Sequence, residues 1–143
     1  MFEKFTKKAK QSIIFAKEEC DNYKGDSITT KHLLLGILRF DQEQPAIILQ
    51  SLGVSITELK QEIQKKLPKN KGIEFNDIPF TSNAARVINA IVASCKTQNC
   101  PRIDLGQMLV GLLTVEYCSA ARILRKYKVT LKKVNSCIEE NKT

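Results

Sequence analysis

The chain has 143 residues, 43% hydrophobic and 27% charged, with a formal net charge of +8. That length suits one domain able to bury roughly 70% of its unfolded surface without staples, and the apolar run from His32 to Leu38 is far shorter than the roughly 20 residues a bilayer demands. The N-terminal Met1-Phe2-Glu3-Lys4-Phe5-Thr6 leads into an amphipathic pattern instead of a continuous apolar segment, which argues against a signal peptide.

In chain order, Phe5, Ala9, Ile13, Ala16 and Cys20 recur at three and four residues, one face of a helix that Thr6 caps and Gly25 ends with a left-handed turn. Thr29 or Thr30 caps a second helix, apolar nearly all round from Leu33 to Leu38 and therefore the buried centre. Gly36 inside it marks a close helix crossing, since glycine there costs about 1 kcal/mol against alanine. Pro45 opens a third helix with Ile47, Ile48 and Leu52 inward and Gly53 closing it. Ser55 and Glu58 form a capping box for a fourth helix carrying Ile56, Leu59, Ile63 and Leu67, which Pro68 stops. Residues 68–79 carry Pro, Gly, Asn and Lys without periodicity and read as a linker. Thr81 then caps a helix through Ala84, Val87, Ile88, Ile91 and Cys95, Cys100-Pro101 breaks the chain, and Asp104 with Gln107 caps the next. Two more helices follow, around Ala120–Lys126 and Thr130–Glu139.

The second half repeats the first at a constant spacing of 75 residues without a gap. Phe5-Thr6 falls on Phe80-Thr81, Cys20 on Cys95, Ile28 on Ile103, Gly36 on Gly111, Ile48-Leu49 on Ile123-Leu124 and Ile63 on Ile138. The expected fold is all-α: eight helices as two four-helix repeats, 5–67 and 80–140, related by an approximate two-fold axis within a single domain.

Catalytic chemistry finds little support. His32 is the sole histidine and reads as a hydrogen-bonded structural residue. Neither a nucleophile elbow, a phosphate-binding loop nor a zinc-protease motif is present. Glu18-Glu19 and Glu139-Glu140 point different ways around their helices and read as solvated charges. The five cysteines lack a Cys-x-x-Cys pair and read as reduced thiols in a reducing compartment, with no metal and no cofactor. Positive charge gathers in the second repeat, either as a solvated basic face or as a nucleic-acid surface, although no aromatics are interleaved for base stacking. The two matched helix starts, Phe5-Thr6 and Phe80-Thr81, are the functional candidates. A helix N-terminus attracts anions, while a simple cap is the plainer reading.

Met1-Phe2-Glu3-Lys4-Phe5-Thr6, Thr30-x-His32-Leu-Leu-Leu-Gly36, Leu49-x-x-Leu52-Gly53-Val54 and Ile78-Pro-Phe-Thr81 are similar to the ClpC-type Clp N-terminal domain, the double repeat at the front of Clp-family AAA+ unfoldases. The resemblance covers essentially the whole chain. It implies a mobile recognition module, not an enzyme, that passes adaptor or substrate proteins to an ATPase ring. With no Walker motif here, it implies either the front of a longer unfoldase or a free-standing accessory subunit of a Clp protease core, cytoplasmic or in the plastid stroma.

The resemblance further implies a groove around Phe2 and Phe80, with Phe5, Thr6, Ile13, Lys17, Thr81 and Ala85 contributing. In that family Thr6 and Thr81 match threonines that hold the phosphate of phosphoarginine. The glutamates that would hold its guanidinium are replaced by Lys31 and Gly106, which disfavours that ligand.

Overall fold

The computed structural model describes residues 2–68 and 78–140. Those residues form eight helices and no strand: α1 (Lys7–Asn22), α2 (Thr30–Leu38), α3 (Gln44–Ser51), α4 (Ile56–Lys65), α5 (Ser82–Thr97), α6 (Leu105–Thr114), α7 (Ser119–Lys126) and α8 (Leu131–Glu140). The expected linker, apart from Pro68, Ile78 and Pro79, lies outside the described residues.

Contacts between helices follow a pseudo-two-fold scheme. The pairings α1 with α6, α2 with α7 and α4 with α7 are answered by α5 with α2, α6 with α3 and α8 with α3. The central helices α2 and α6 touch each other. Both are buried nearly all round, because their sequences offer no polar face. Two isolated bridges stitch the repeats, Phe5 to Ile103 and Ile28 to Phe80, each the image of the other. In one, the Thr6 N–H donates to the Ile103 carbonyl at 2.9 Å and the Ile103 N–H to Lys4 at 2.8 Å; in the other, Thr81 donates to Ile28 at 2.9 Å and Ile28 to Pro79 at 2.8 Å.

At one place where the repeats differ, the polar groups are matched. Ala120 in α7 has an N–H that donates to Thr30 Oγ1 at 3.2 Å. Its counterpart in α3 is Pro45, which has no N–H to satisfy, and the position answering Thr30 is Leu105.

Helix ends follow one pattern. At the end of α1 the Gly25 N–H bonds the Cys20 carbonyl and the Lys24 N–H bonds Asp21; α5 repeats this with Cys100 to Cys95 and Asn99 to Lys96. These are Schellman motifs. The left-handed residue is therefore Lys24, with φ 58°, and not Gly25 as the sequence suggested, because glycine falls one position beyond it. Asn99 at φ 51° and Lys128 at φ 64° do the same work as Gly53 at φ 84°.

Further expectations are corrected. Ile47 points outward and is 50% exposed, while its neighbours Ile48 and Leu49 fill the core. The Ser55 hydroxyl accepts the Glu58 N–H, but no return bond from Glu58 is formed, so this cap is half a box. Glu18 and Glu19 do not diverge into solvent: Arg39 reaches Glu19 Oε1 through Nε at 3.0 Å and Glu18 Oε2 through a terminal nitrogen at 3.1 Å, with its guanidinium 4.6 Å from the Phe15 ring centre.

The expectation of uniformly reduced thiols is also overturned, because Cys95 and Cys100 are joined by a disulfide with Cα atoms 5.0 Å apart. The Schellman turn brings C3 and C″ together, and both happen to be cysteine. In repeat one those places hold Cys20 and Gly25. A Cβ built on Gly25 would lie 2.9 Å from Cys20 Sγ, close to the roughly 3.0 Å separating a Cβ from the far sulfur of a disulfide. Gly25→Cys is therefore expected to close a second disulfide with Cys20 on mild oxidation, adding about 2 kcal/mol of stability for so short a loop. Thiol counting and a thermal melt, with and without reductant, check this.

Candidate functional site

The two helix starts are built alike. Thr6 has extended backbone and its hydroxyl oxygen accepts the Ala9 N–H at 3.1 Å; Thr81 accepts from Ala84 at 3.2 Å. Each threonine thus acts first as a cap. Neither first turn contains an acidic residue, so the partial positive charge of the helix end is left unopposed within the turn. Around α1 it is reinforced by Lys4, Lys7, Lys8 and Lys10, of which Lys8 forms an ion pair with Glu43.

Phe5 is wholly buried and anchors its bridge to Ile103. Its ring is therefore a floor and offers no surface to a partner. Phe2 packs edge-on against it, with ring centres 5.1 Å apart, and remains half-buried. Phe80 occupies in repeat two the place Phe5 has in repeat one, but is also half-buried. Phe2 and Phe80 are thus apolar, supported by backbone bridges, and partly open to solvent. Ile13 is half-buried on α1, Lys17 lies one turn further along and is exposed, and Ala85 is half-buried near the start of α5. Sequence reasoning missed Ile14, 53% exposed beside Ile13. An isoleucine off the apolar stripe of an otherwise charged helix was the available signal.

Lys31 and Gly106 occupy equivalent positions with different surroundings. The Lys31 ammonium donates to the Lys66 carbonyl at the end of α4 at 2.6 Å. Burial, with the charge of Lys66, lowers its pKa. Gly106 lies under the side chain of Gln44: a Cβ there would fall 2.3 Å from Gln44 Oε1. One position presents a cation and the other is roofed by a neutral carboxamide.

His32 is buried in the capping box of α2. Its Nδ1 accepts the Thr29 N–H at 2.9 Å, and the Thr29 hydroxyl accepts the His32 N–H at 3.3 Å. Nε2 is buried without a partner. Burial, with Lys31 nearby, lowers the imidazole pKa to about 4, so it is neutral at physiological pH. Among the described residues no group of three or more His, Cys, Asp or Glu side chains gathers to hold a metal ion. None of the helices is long and apolar enough to cross a membrane.

The sequence profile of the Clp repeat N-terminal domain matches residues 4–127. The ClpA homolog of Guillardia theta, an ATP-dependent Clp protease ATP-binding subunit, is 30% identical over 136 residues, covering 95% of this chain and 17% of that protein. The chloroplastic chaperone protein ClpD of Arabidopsis thaliana is 28% identical over 138 residues, covering 88% of this chain and 14% of its own length. The chain therefore spans less than a fifth of these relatives. The crystal structure of the ClpD N-terminal domain superposes with a TM-score of 0.78 at 25% identity, covering 100% of this chain and 97% of that one. The Hsp104 N-terminal domain of Candida albicans shares the fold, with a TM-score of 0.79 at 14% identity over 94% of this chain and 89% of that one.

Proposed function

Since the chain belongs to the Clp repeat N-terminal domain family, we propose that it is a non-catalytic protein-binding module, receiving adaptor proteins or substrate segments for an AAA+ unfoldase ring. On this reading residues 1–143 act as one domain, with repeats 5–67 and 80–140 flanking the segment 68–79. The observation that carries it is the pair of half-buried aromatics, Phe2 and Phe80, set beside helix starts whose first turns lack acidic residues, Phe80 held by its bridge to Ile28 and Phe2 packed on the bridged Phe5. Apolar rings on rigid backbone are the usual anchors of a protein interface. The adjoining N–H groups and lysines favour carboxylates on the partner.

Ile13, Lys17 and Ala85 extend this surface, Thr6 and Thr81 shape the helix starts, and Phe5 supports Phe2 from beneath. Phosphoarginine is a poor fit, since a lysine and a roofed glycine stand where its guanidinium needs carboxylates. The chloroplastic ClpD relative supports the stromal setting of the two expected, cytoplasmic or stromal.

The test is fluorescence anisotropy with a labelled, permanently unfolded polypeptide. Phe2→Ala combined with Phe80→Ala is expected to weaken binding about tenfold or more, as loss of two aromatic anchors does. Neither ring is fully buried, so the fold should persist, and a melt confirms it. Unchanged affinity in a folded double variant would reject this surface.

A further inference from the structure

The pseudo-two-fold axis relates a strongly basic corner to a nearly uncharged one. At the turn from α7 to α8 stand Arg122, Arg125, Lys126, Lys128, Lys132 and Lys133, all exposed. The equivalent places at the turn from α3 to α4 hold Ile47, Gln50, Ser51, Gly53, Thr57 and Glu58. Six cations thus face five uncharged residues and a carboxylate on the same backbone frame. The fold does not require the charge, because the α3–α4 corner makes the same Schellman turn without it. Lys128 even holds a left-handed φ of 64° where its counterpart is glycine.

Two of these cations, Arg125 and Lys132, line a hollow of about 520 Å³ together with Leu113, Glu116, Thr130 and Leu131. Leu113 is buried and Leu131 half-buried, giving the hollow an apolar floor. Glu62 meets part of the local charge, pairing with Lys126 at 2.7 Å and with Lys66 at 3.0 Å. The Lys133 ammonium donates to the Lys128 carbonyl at 3.0 Å. Arg125 and Lys132 rim the hollow from opposite helices.

We propose that this corner is a docking surface for an acidic polypeptide segment, with Glu or Asp side chains meeting Arg125, Lys132 and Lys128 and an apolar side chain seated over Leu113 and Leu131. It deepens the protein-binding reading with a second surface that shares no residue with the helix starts. Two features favour polypeptide over nucleic acid. No aromatic lines the hollow for base stacking, and Glu116 on its rim opposes a continuous phosphate backbone while spaced carboxylates can bypass it.

The experiment is a titration of the full chain with a labelled Glu-rich peptide containing leucine, at low and at physiological salt, monitored by anisotropy. Saturable binding that weakens as salt rises is expected. Arg125→Glu with Lys132→Glu should lower affinity about tenfold or more, as charge reversal at a complementary interface does. Lys128→Gly should lower it a few-fold while raising thermal stability by relieving the left-handed lysine. Because that variant strengthens the turn, its loss of binding is not ascribable to unfolding. Lys96→Glu with Arg102→Glu makes the same change in net charge elsewhere and should have little effect. Phe2→Ala with Phe80→Ala should leave the fold-change in affinity caused by Arg125→Glu with Lys132→Glu unchanged, so failure here is distinct from failure of the helix-start surface. The proposal is overturned by absence of saturable binding at low salt, by equal losses in the two charge-reversal pairs, or by a single-stranded oligonucleotide outcompeting the peptide.

Discussion

Gly36→Ala is expected to destabilise the protein by about 3 kcal/mol, among the larger effects a single methyl group produces. A Cβ at that position would lie 2.2 Å from the Ser12 carbonyl oxygen and 2.9 Å from the Ala16 nitrogen. Both are backbone atoms of α1, so no side-chain rotation relieves the overlap and the two helices must part. The equivalent change in repeat two should cost less. A Cβ on Gly111 would meet Ile91 Cγ1 at 2.2 Å and Cδ1 at 2.8 Å, atoms of a side chain that can move at a cost of about 1–2 kcal/mol. Ile91 occupies the place of Ala16, so α5 and α6 are held apart by a side chain where α1 and α2 meet backbone to backbone. It follows that Ile91→Ala should be strongly destabilising in the parent yet much milder alongside Gly111→Ala, since the new methyl fills part of the space vacated. Thermal or urea unfolding of the four proteins measures this coupling. Equal losses for Gly36→Ala and Gly111→Ala would contradict it.

That contrast shows how much of the molecule could be read from its sequence. The constant spacing of 75 residues gave the architecture, because a repeated apolar pattern can be buried only by repeating the packing. Capping residues gave helix starts to within a residue at Thr6, Ser55, Thr81 and Asp104, where a side-chain oxygen must find an N–H. Helix ends were less legible at Gly25, since the Schellman turn puts the left-handed residue one place earlier and tolerates Lys24 there. Ile47 was misplaced because α3 is short and apolar at four consecutive positions, 46–49, so periodicity alone could not single out the exposed one.

The candidate site was legible in its backbone and not in its neighbours. Thr6 and Thr81 follow from local sequence, whereas the bridges pair Phe5 with Ile103 and Ile28 with Phe80 across the repeats and no local pattern announces them. What surrounds Lys31 and Gly106 comes from residues far along the chain, Lys66 and Gln44, and no spacing rule connects them. The same holds for Arg39, which draws Glu18 and Glu19 together from another helix. A disulfide reads as the lesser alternative from sequence because Cys95 is equivalent to Cys20, so the repeat itself suggests packing cysteines.

His32 supplies the second large effect, a fall in stability on acidification that one substitution should remove. The imidazole accepts the Thr29 N–H through Nδ1, which needs the neutral ring, and its pKa in the fold is about 4, against about 6.5 in an unfolded chain. Between those values the unfolded state binds the proton and the folded state does not, so stability declines as pH falls from about 6.5 and the loss saturates below about 4. The full shift corresponds to about 3 kcal/mol at most. Carboxylates such as Glu62, held down to about 2 by Lys126 and Lys66, add their own acid sensitivity mainly below this window. Repeat two provides the control: Gln107 occupies the equivalent position, and its Oε1 accepts the Asp104 N–H at 2.8 Å in the same box. His32→Gln should therefore preserve the cap and leave stability at pH 7 within about 1 kcal/mol of the parent. Urea midpoints from pH 7.5 to 4 should decline in the parent and stay nearly level in the variant over the upper part of that range. Parallel declines would show that His32 already carries its proton in the folded state.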